Sequence, residues 1–301
     1  MTCRLLRAAA CFALLCTTAC APPRGSHIVI GAKNFTEQVV LGELVAQQIE
    51  AAFAHEGHGA ERVERRFYLA GSYLCHQALV TGRIDAYVEY SGTALTAILK
   101  QPLPEREDAA EVFAKISGLY ASRYGVKVER GLGFEDTFAM VVRDDDAKKL
   151  GLKTISDVGS RAGAMKLGVG YEFQARPDGL DGLQKAYDLK FGKPRVMDLG
   201  LLYRALSAGQ VDIVAGNSTD GPIRALGFAV LIDDRHYFPP YEAVPLVRED
   251  SLQRHGEIQV ALDQLAGKVS AGEMQAMNDA VDGRHEEVGE VVRKFREKKG
   301  L

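Results

Sequence analysis

The alternation of apolar and polar positions divides the chain into short buried strands and amphipathic helices. Residues 28–30 (IVI) are a continuous apolar run closed by Gly31, which predicts a buried strand. Asn34 followed by Glu37 has capping-box spacing, and Val40, Leu41, Leu44, Val45 and Ile49 then recur on one helical face. A second strand is predicted over 63–69, and a helix from Gly71-Ser72 to Gly82. The third strand covers 84–90, where Ile84, Ala86 and Val88 alternate with Asp85, Tyr87 and Glu89. Ser91-Gly92-Thr93 caps the next helix, whose free N–H groups suit an anion. Pro102 and Pro104 break the chain before an amphipathic helix over 107–124.

The pattern then repeats. A strand over 134–142 is entered through the Gly131/Gly133 turn and followed by an acidic turn over 143–146. Ser156-Asp157 caps a short helix, 166–169 is a strand, and 170–179 is a loop carrying Arg176. A helix to about residue 187 and strands over 195–198 and 228–232 follow. The last strand, 241–247, contains Pro245, which cannot donate to a ladder and so predicts an edge or crossing segment. Three charged helices, 257–269, 272–281 and 286–298, close the chain with Leu262, Leu265, Val269, Val288, Val291, Val292 and Phe295 as packing positions.

One unit occurs twice. ALVTGRIDAYVEYSGT at 78–93 superposes on ALSAGQVDIVAGNSTD at 205–220, setting Gly82 on Gly209, Asp85 on Asp212 and Tyr90 on Asn217. Each copy reads as a helix end, a Gly stop, an apolar strand and a polar loop. Such a turn is common enough to recur by chance. As a true repeat it implies two α/β lobes, with the loops of Tyr90 and Asn217 facing each other beyond the carboxyl ends of their strands. The chain leaves the first lobe (27–134 plus 241–301) near Phe134, builds the second over 135–240, and returns near Tyr241. Two crossings make a hinge that can close on a ligand.

The first twenty residues are a separate object. Arg4 and Arg7 precede an apolar run over 8–15 that leads into small residues, the make-up of a secretory signal peptide too short to span a bilayer. Its Ala19-Cys20 ending resembles a bacterial lipobox, with Thr17 where that motif prefers Leu; Cys20 is expected to carry the lipid anchor. That places the mature protein in the periplasm or at the cell surface. Four of the five cysteines lie in this leader, so only Cys75 remains and an intrachain disulfide in the mature chain is excluded. With 47% apolar residues, 26% charged and a formal net charge of −3, the 301-residue chain calls for no nucleic acid. Trp is absent, leaving 11 Tyr and 12 Phe for any aromatic recognition.

GAKNFTEQ at 31–38, the YVEYSGT loop ending at Thr93, GFEDTFAM at 133–140, NSTDG at 217–221 and FPPY at 238–241 occur in the order found in one family. The chain resembles, over essentially its whole mature length, the substrate-binding proteins of osmoprotectant ABC importers, which take up glycine betaine, proline betaine, choline or carnitine. The resemblance implies a two-lobed, type II-like periplasmic binding-protein fold. It also implies a monomer that hands its solute to an ABC permease and its ATPase. Carried over residue by residue, it places Tyr90, Phe138, Asn217, Tyr241 and the backbone of Asp136 around a trimethylammonium group. Lys33, Thr93 and Arg176 take the ligand carboxylate.

That division of labour has a physical basis. A quaternary ammonium has no N–H to donate, so aromatic faces hold it through their quadrupole. Arg and Lys supply the fork and the point charge for a carboxylate. The family usually has Tyr where this chain has Phe138 and Asn217. Phe138 keeps a π face, whereas Asn217 removes one wall. Weaker betaine binding is expected from that gap, or room for a larger betaine such as ergothioneine or carnitine. Lys33 and Arg176 together are expected to disfavour choline, which has no carboxylate.

An enzyme is not expected, and neither a cofactor nor a metal. Cys75 and His76 are adjacent and point apart on a helix, and no P-loop, G-x-S-x-G, HExxH or Cys/His metal spacing is present. A ligand sensor that docks to a receptor would share the fold.

Overall fold

The computed structural model describes residues 27–55, 63–102 and 108–301, so the leader and Cys20 lie outside the described residues. Its strands are β1 (Ile28–Gly31), β2 (Val63–Arg66), β3 (Ala86–Tyr90), β4 (Val126–Val128), β5 (Phe138–Arg143), β6 (Leu167–Val169), β7 (Arg195–Val196), β8 (Ile213–Asn217), β9 (Phe228–Leu231) and β10 (Ala243–Arg248). They build two five-stranded sheets with orders β2-β1-β3-β10-β4 and β7-β6-β8-β5-β9. In each, four strands run in one direction and one antiparallel strand, β10 or β5, is inserted between the third and the last of them. Helices cover the faces, as parallel strands buried on both sides require. Among the described residues no helix is long and apolar enough to cross a membrane.

The repeated sequence unit is a repeated structure. Gly82 and Gly209 both adopt left-handed φ, 71° and 66°, ending their helices where a Cβ would be strained. The Asp85 N–H donates to the Val29 carbonyl (2.7 Å) while its carboxylate accepts from the Val29 N–H (2.8 Å). Asp212 makes the same pincer on Lys166, both bonds 2.8 Å. The likeness extends to a pair of strands that did not stand out in the sequence. Arg248, closing β10, donates to the Leu79 carbonyl (3.0 Å), and Arg143, closing β5, donates to the equivalent Leu206 carbonyl (2.7 Å).

Several local expectations change. Strand β10 is interior, not at an edge. Pro245 is tolerated because its carbonyl and ring nitrogen both face β4, whose pairing with β10 stops at Val128; the carbonyl accepts from Glu129 N–H at 2.9 Å. The acidic stretch after Arg143 is the first turn of a helix, Asp144–Leu150, where three carboxylates suit the helix dipole. The 170–179 segment contains a short helix, Tyr171–Ala175. The helix after β1 begins at Thr36, and Glu37 turns its carboxylate into the protein interior instead of closing a capping box with Asn34. The alternation in β3 does not mark a solvent face, because all five of its residues are buried and its polar groups are engaged internally. Ahead of the three expected C-terminal helices, observed at Glu257–Leu265, Ala271–Asp282 and Val288–Lys299, lies a fourth, Glu249–Arg254.

Candidate functional site

The loops at the carboxyl ends of β1, β3, β6 and β8, with the starts of β5 and β10, converge on a cavity of about 200 Å³ between the two sheets. All eight residues singled out from the sequence line it: Lys33, Tyr90, Thr93, Asp136, Phe138, Arg176, Asn217 and Tyr241. Tyr90 ends β3, Asn217 ends β8 and Phe138 begins β5, so the ladders that fix the sheets also fix these side chains. Phe173, which the sequence reading passed over, lines the same cavity with its ring centroid 4.9 Å from that of Phe138, edge to face. Tyr241 stands 5.8 Å from Phe138, also edge to face. With Phe35 and Tyr171, which also line it, Tyr90, Phe138, Phe173 and Tyr241 give the cavity six rings.

Both cations are buried and each is held by a carboxylate of its own lobe. Lys33 is bonded to Glu89, which is wholly buried beneath it, and its Nζ lies 4.7 Å from the centre of the Tyr90 ring. Arg176 donates through Nε to Asp178 Oδ1 (2.9 Å) and through a second nitrogen to Oδ2, and its guanidinium lies 4.8 Å over the Phe138 ring. Asp178 also accepts from the Thr96 hydroxyl (2.8 Å) and the Tyr241 hydroxyl (2.5 Å), bonds that tie the first lobe and the returning segment to the second. Burial alone would push Asp178 up, but the bonds from Arg176, Tyr241 and Thr96 hold it below the usual carboxylate range. The expected exclusion of choline assumed two uncompensated cations. The structure compensates both, and that reason no longer stands.

Behind the Tyr90 ring lies an acidic cluster that the sequence did not announce. The Tyr90 hydroxyl donates to Glu37 Oε1 (2.7 Å), and Glu37 Oε2 accepts from the Thr219 hydroxyl and from Asn278 Nδ2 (3.0 Å). Asn278 belongs to the C-terminal helix Ala271–Asp282 and also donates Nδ2 to the Thr219 carbonyl (2.9 Å), so a helix read as core packing carries an interlobe bond. Burial pushes Glu37 up to about 7 against the bonds from Thr219, Tyr90 and Asn278. Asp220 stands at about 6 for the same reason, and Asp136 is raised by burial and by its Glu37 and Asp220 neighbours. The Asp136 carboxylate turns away to accept from Thr219 N–H (3.2 Å) and the Ser218 hydroxyl (3.3 Å).

Cys75 is buried and free, with its thiol pushed up to about 12 by burial, which suits packing and not nucleophilic chemistry. Glu89 and Asp178 could have been found: each lies within three residues of a named site residue, and a buried cation needs an anion.

The chain is similar to the carnitine transport binding protein OpuCC of Listeria monocytogenes, with 33% identity over 90% of this chain and 86% of that protein. It is 31% identical to a glycine-betaine-binding protein of Pseudomonas aeruginosa over 84% of this chain and 81% of that one. The crystal structure of a glycine betaine/carnitine/choline ABC transporter matches 91% of this chain and 98% of that one, at 31% identity and a TM-score of 0.74. A family model, the substrate-binding domain of the ABC-type glycine betaine transport system, matches residues 26–298. The two-lobed fold, the site at its cleft and this match across nearly the full length agree, and the chain belongs to that family of ABC-transport substrate-binding domains.

Proposed function

We propose that this chain binds a quaternary-ammonium betaine, glycine betaine foremost, in the cleft between its sheets and delivers it to the permease of an ABC importer. The observation that carries the reading is the convergence of Tyr90, Phe138 and Tyr241 with Lys33 and Arg176 on one cavity of about 200 Å³. Drug-sized ligands occupy pockets of roughly 300–1,000 Å³, so this cavity suits a small solute. The rings hold the methylated ammonium, while Lys33, Thr93 and Arg176 orient the carboxylate with Glu89 and Asp178 setting the balance of charge. The protein acts by binding without turnover, as a monomer outside the cytoplasm, anchored through a lipid on Cys20.

Calorimetry of the mature protein with glycine betaine, proline betaine, carnitine, ergothioneine and choline tests this. Saturable binding of at least one, with the ligand recovered unchanged after long incubation, is expected. Absence of heat with all five sinks the reading. A longer betaine such as carnitine is the second reading, favoured by Asn217, a cavity-lining position without a ring.

A further inference from the structure

We infer that Glu172 is a positioning residue that clamps the two lobes shut, by docking its carboxylate on the first backbone N–H of the helix Ser72–Val80. The inference deepens the reading above and rests on it, since the cleft that Glu172 spans is the proposed betaine seat. Ser72 N–H donates to Glu172 Oε1 at 2.6 Å, and the Ser72 hydroxyl lies 3.4 Å from Oε2. Ser72 follows β2 in the first sheet and Glu172 follows β6 in the second, so the bond bridges the cleft.

Three further observations point the same way. Gly71 and Glu172 both line the cavity, and a Cβ on Gly71 would overlap the Glu172 carboxylate, so the close approach requires glycine there. The loop leading into the helix holds Tyr68 and Ala70 at φ 60° and 68°, left-handed values that non-glycine residues rarely adopt. Arg176 Nη1 lies 3.6 Å from Glu172 Oε2 and steadies the carboxylate from its own lobe.

The chemistry suits a reversible contact. The first N–H groups of a helix have no intrahelical acceptor, and the dipole favours an anion there. Glu172 keeps 33% of its side-chain exposure, unlike the fully buried Asp178. It can therefore pass into water when the cleft opens without the desolvation cost of stranding a buried charge.

Two variants test the clamp from its two sides. Glu172→Gln removes the charge at constant size. Ser72→Pro removes the N–H while keeping the helix, because proline fits the first helical position and Gly71, at φ −91° and ψ −170°, already has the extended conformation that precedes proline. Calorimetry and stopped-flow displacement of glycine betaine should show Kd weakened about tenfold in each, carried by a faster koff with kon within about twofold. The double variant should be no weaker than the weaker single one, since both remove the same bond. An unchanged koff in Glu172→Gln, or effects that add in the double variant, overturns the inference. If the wild type binds no quaternary ammonium, the proposed function falls and the clamp is read by small-angle scattering of ligand-free protein. There both variants should have a larger radius of gyration than the wild type, and identical profiles overturn the clamp.

Discussion

Phe138, the first residue of β5, stands in register opposite Asn217, the last of β8. The matching pair in the first sheet is Ala243 opposite Tyr90. Residues directly opposite on antiparallel strands share a face, so each of these strand pairs sets one ring beside one ringless residue. In one lobe the ring comes from the parallel strand, in the other from the inserted antiparallel strand. The tyrosine absent at Asn217 thus has a phenylalanine beside it in the same row.

Phe138→Ala should weaken binding of the quaternary ammonium ligand by between about 2- and 30-fold, one ring's cation–π attraction. Phe138→Tyr should stay within about twofold, because the hydroxyl adds nothing to the face. Calorimetry on both variants checks this, with thermal melts to separate lost packing against Phe173 from lost affinity. Equal losses in both variants would show that Phe138 is packing only.

Restoring a ring at the neighbouring position should do the reverse. Asn217→Tyr is expected to tighten glycine betaine about tenfold. No tightening in a variant that still folds would remove Asn217 from the cage.

Pairing of Lys33 with Glu89 and of Arg176 with Asp178 leaves no uncompensated cation to repel choline. Glycine betaine and choline should accordingly bind within about an order of magnitude of each other, a difference of roughly 1.4 kcal/mol. A preference for betaine above a hundredfold, read by competition, would mean that one of the two ion pairs rearranges to take the ligand carboxylate.

Breaking either pair from one side should damage the fold. Glu89 is fully buried and Lys33 nearly so, and removing one partner of such a pair strands a charge at a cost of about 3–5 kcal/mol. Glu89→Gln should therefore lower stability by about that amount in urea titration. A loss below 1 kcal/mol would show that Lys33 reaches water or sheds its proton.

Glu37 links stability to pH. Its folded value of about 7 exceeds the ordinary 4.5, with burial as the chief cause. Between those values the folded chain holds a proton that the unfolded chain has released, so this contribution is intact below about pH 4.5 and is lost as pH rises through about 7. The stability of wild type relative to Glu37→Gln should fall across that window by about 3 kcal/mol at most. Asp220 and Asp136 bias the chain in the same direction and remain in the variant, so the difference reports Glu37 together with the part of the Asp136 shift that Glu37 causes. A difference that stays flat from pH 4.5 to pH 8 would contradict the assignment.

Much of this protein was legible in its sequence because the informative patterns are local. The twin A-L-x-x-G-x-[IV]-D units determined two helix–strand–loop modules, because a left-handed glycine at a helix end is set by residues close in sequence. The aspartate of each unit reads as local but closes on Val29 and Lys166, 56 and 46 residues away, which only the folded sheet brings to it. The position of each loop at a strand's carboxyl end then placed Tyr90, Asn217 and Lys33 at the cleft. What the tertiary structure alone decided is the pairing of charges and the course of the inserted strands. Pro245 reads as an edge residue because a missing N–H is visible in sequence, whereas the short reach of β4 that makes it harmless is not. Glu89 and Glu37 read as the polar half of an alternation and as a helix cap. Their real partners, Lys33 56 residues away and Asn278 241 residues away, meet them only when the first lobe folds, in the second case after the chain has returned to it. A buried carboxylate is placed by whatever can offset its desolvation, and that offset comes from groups the linear pattern does not bring together.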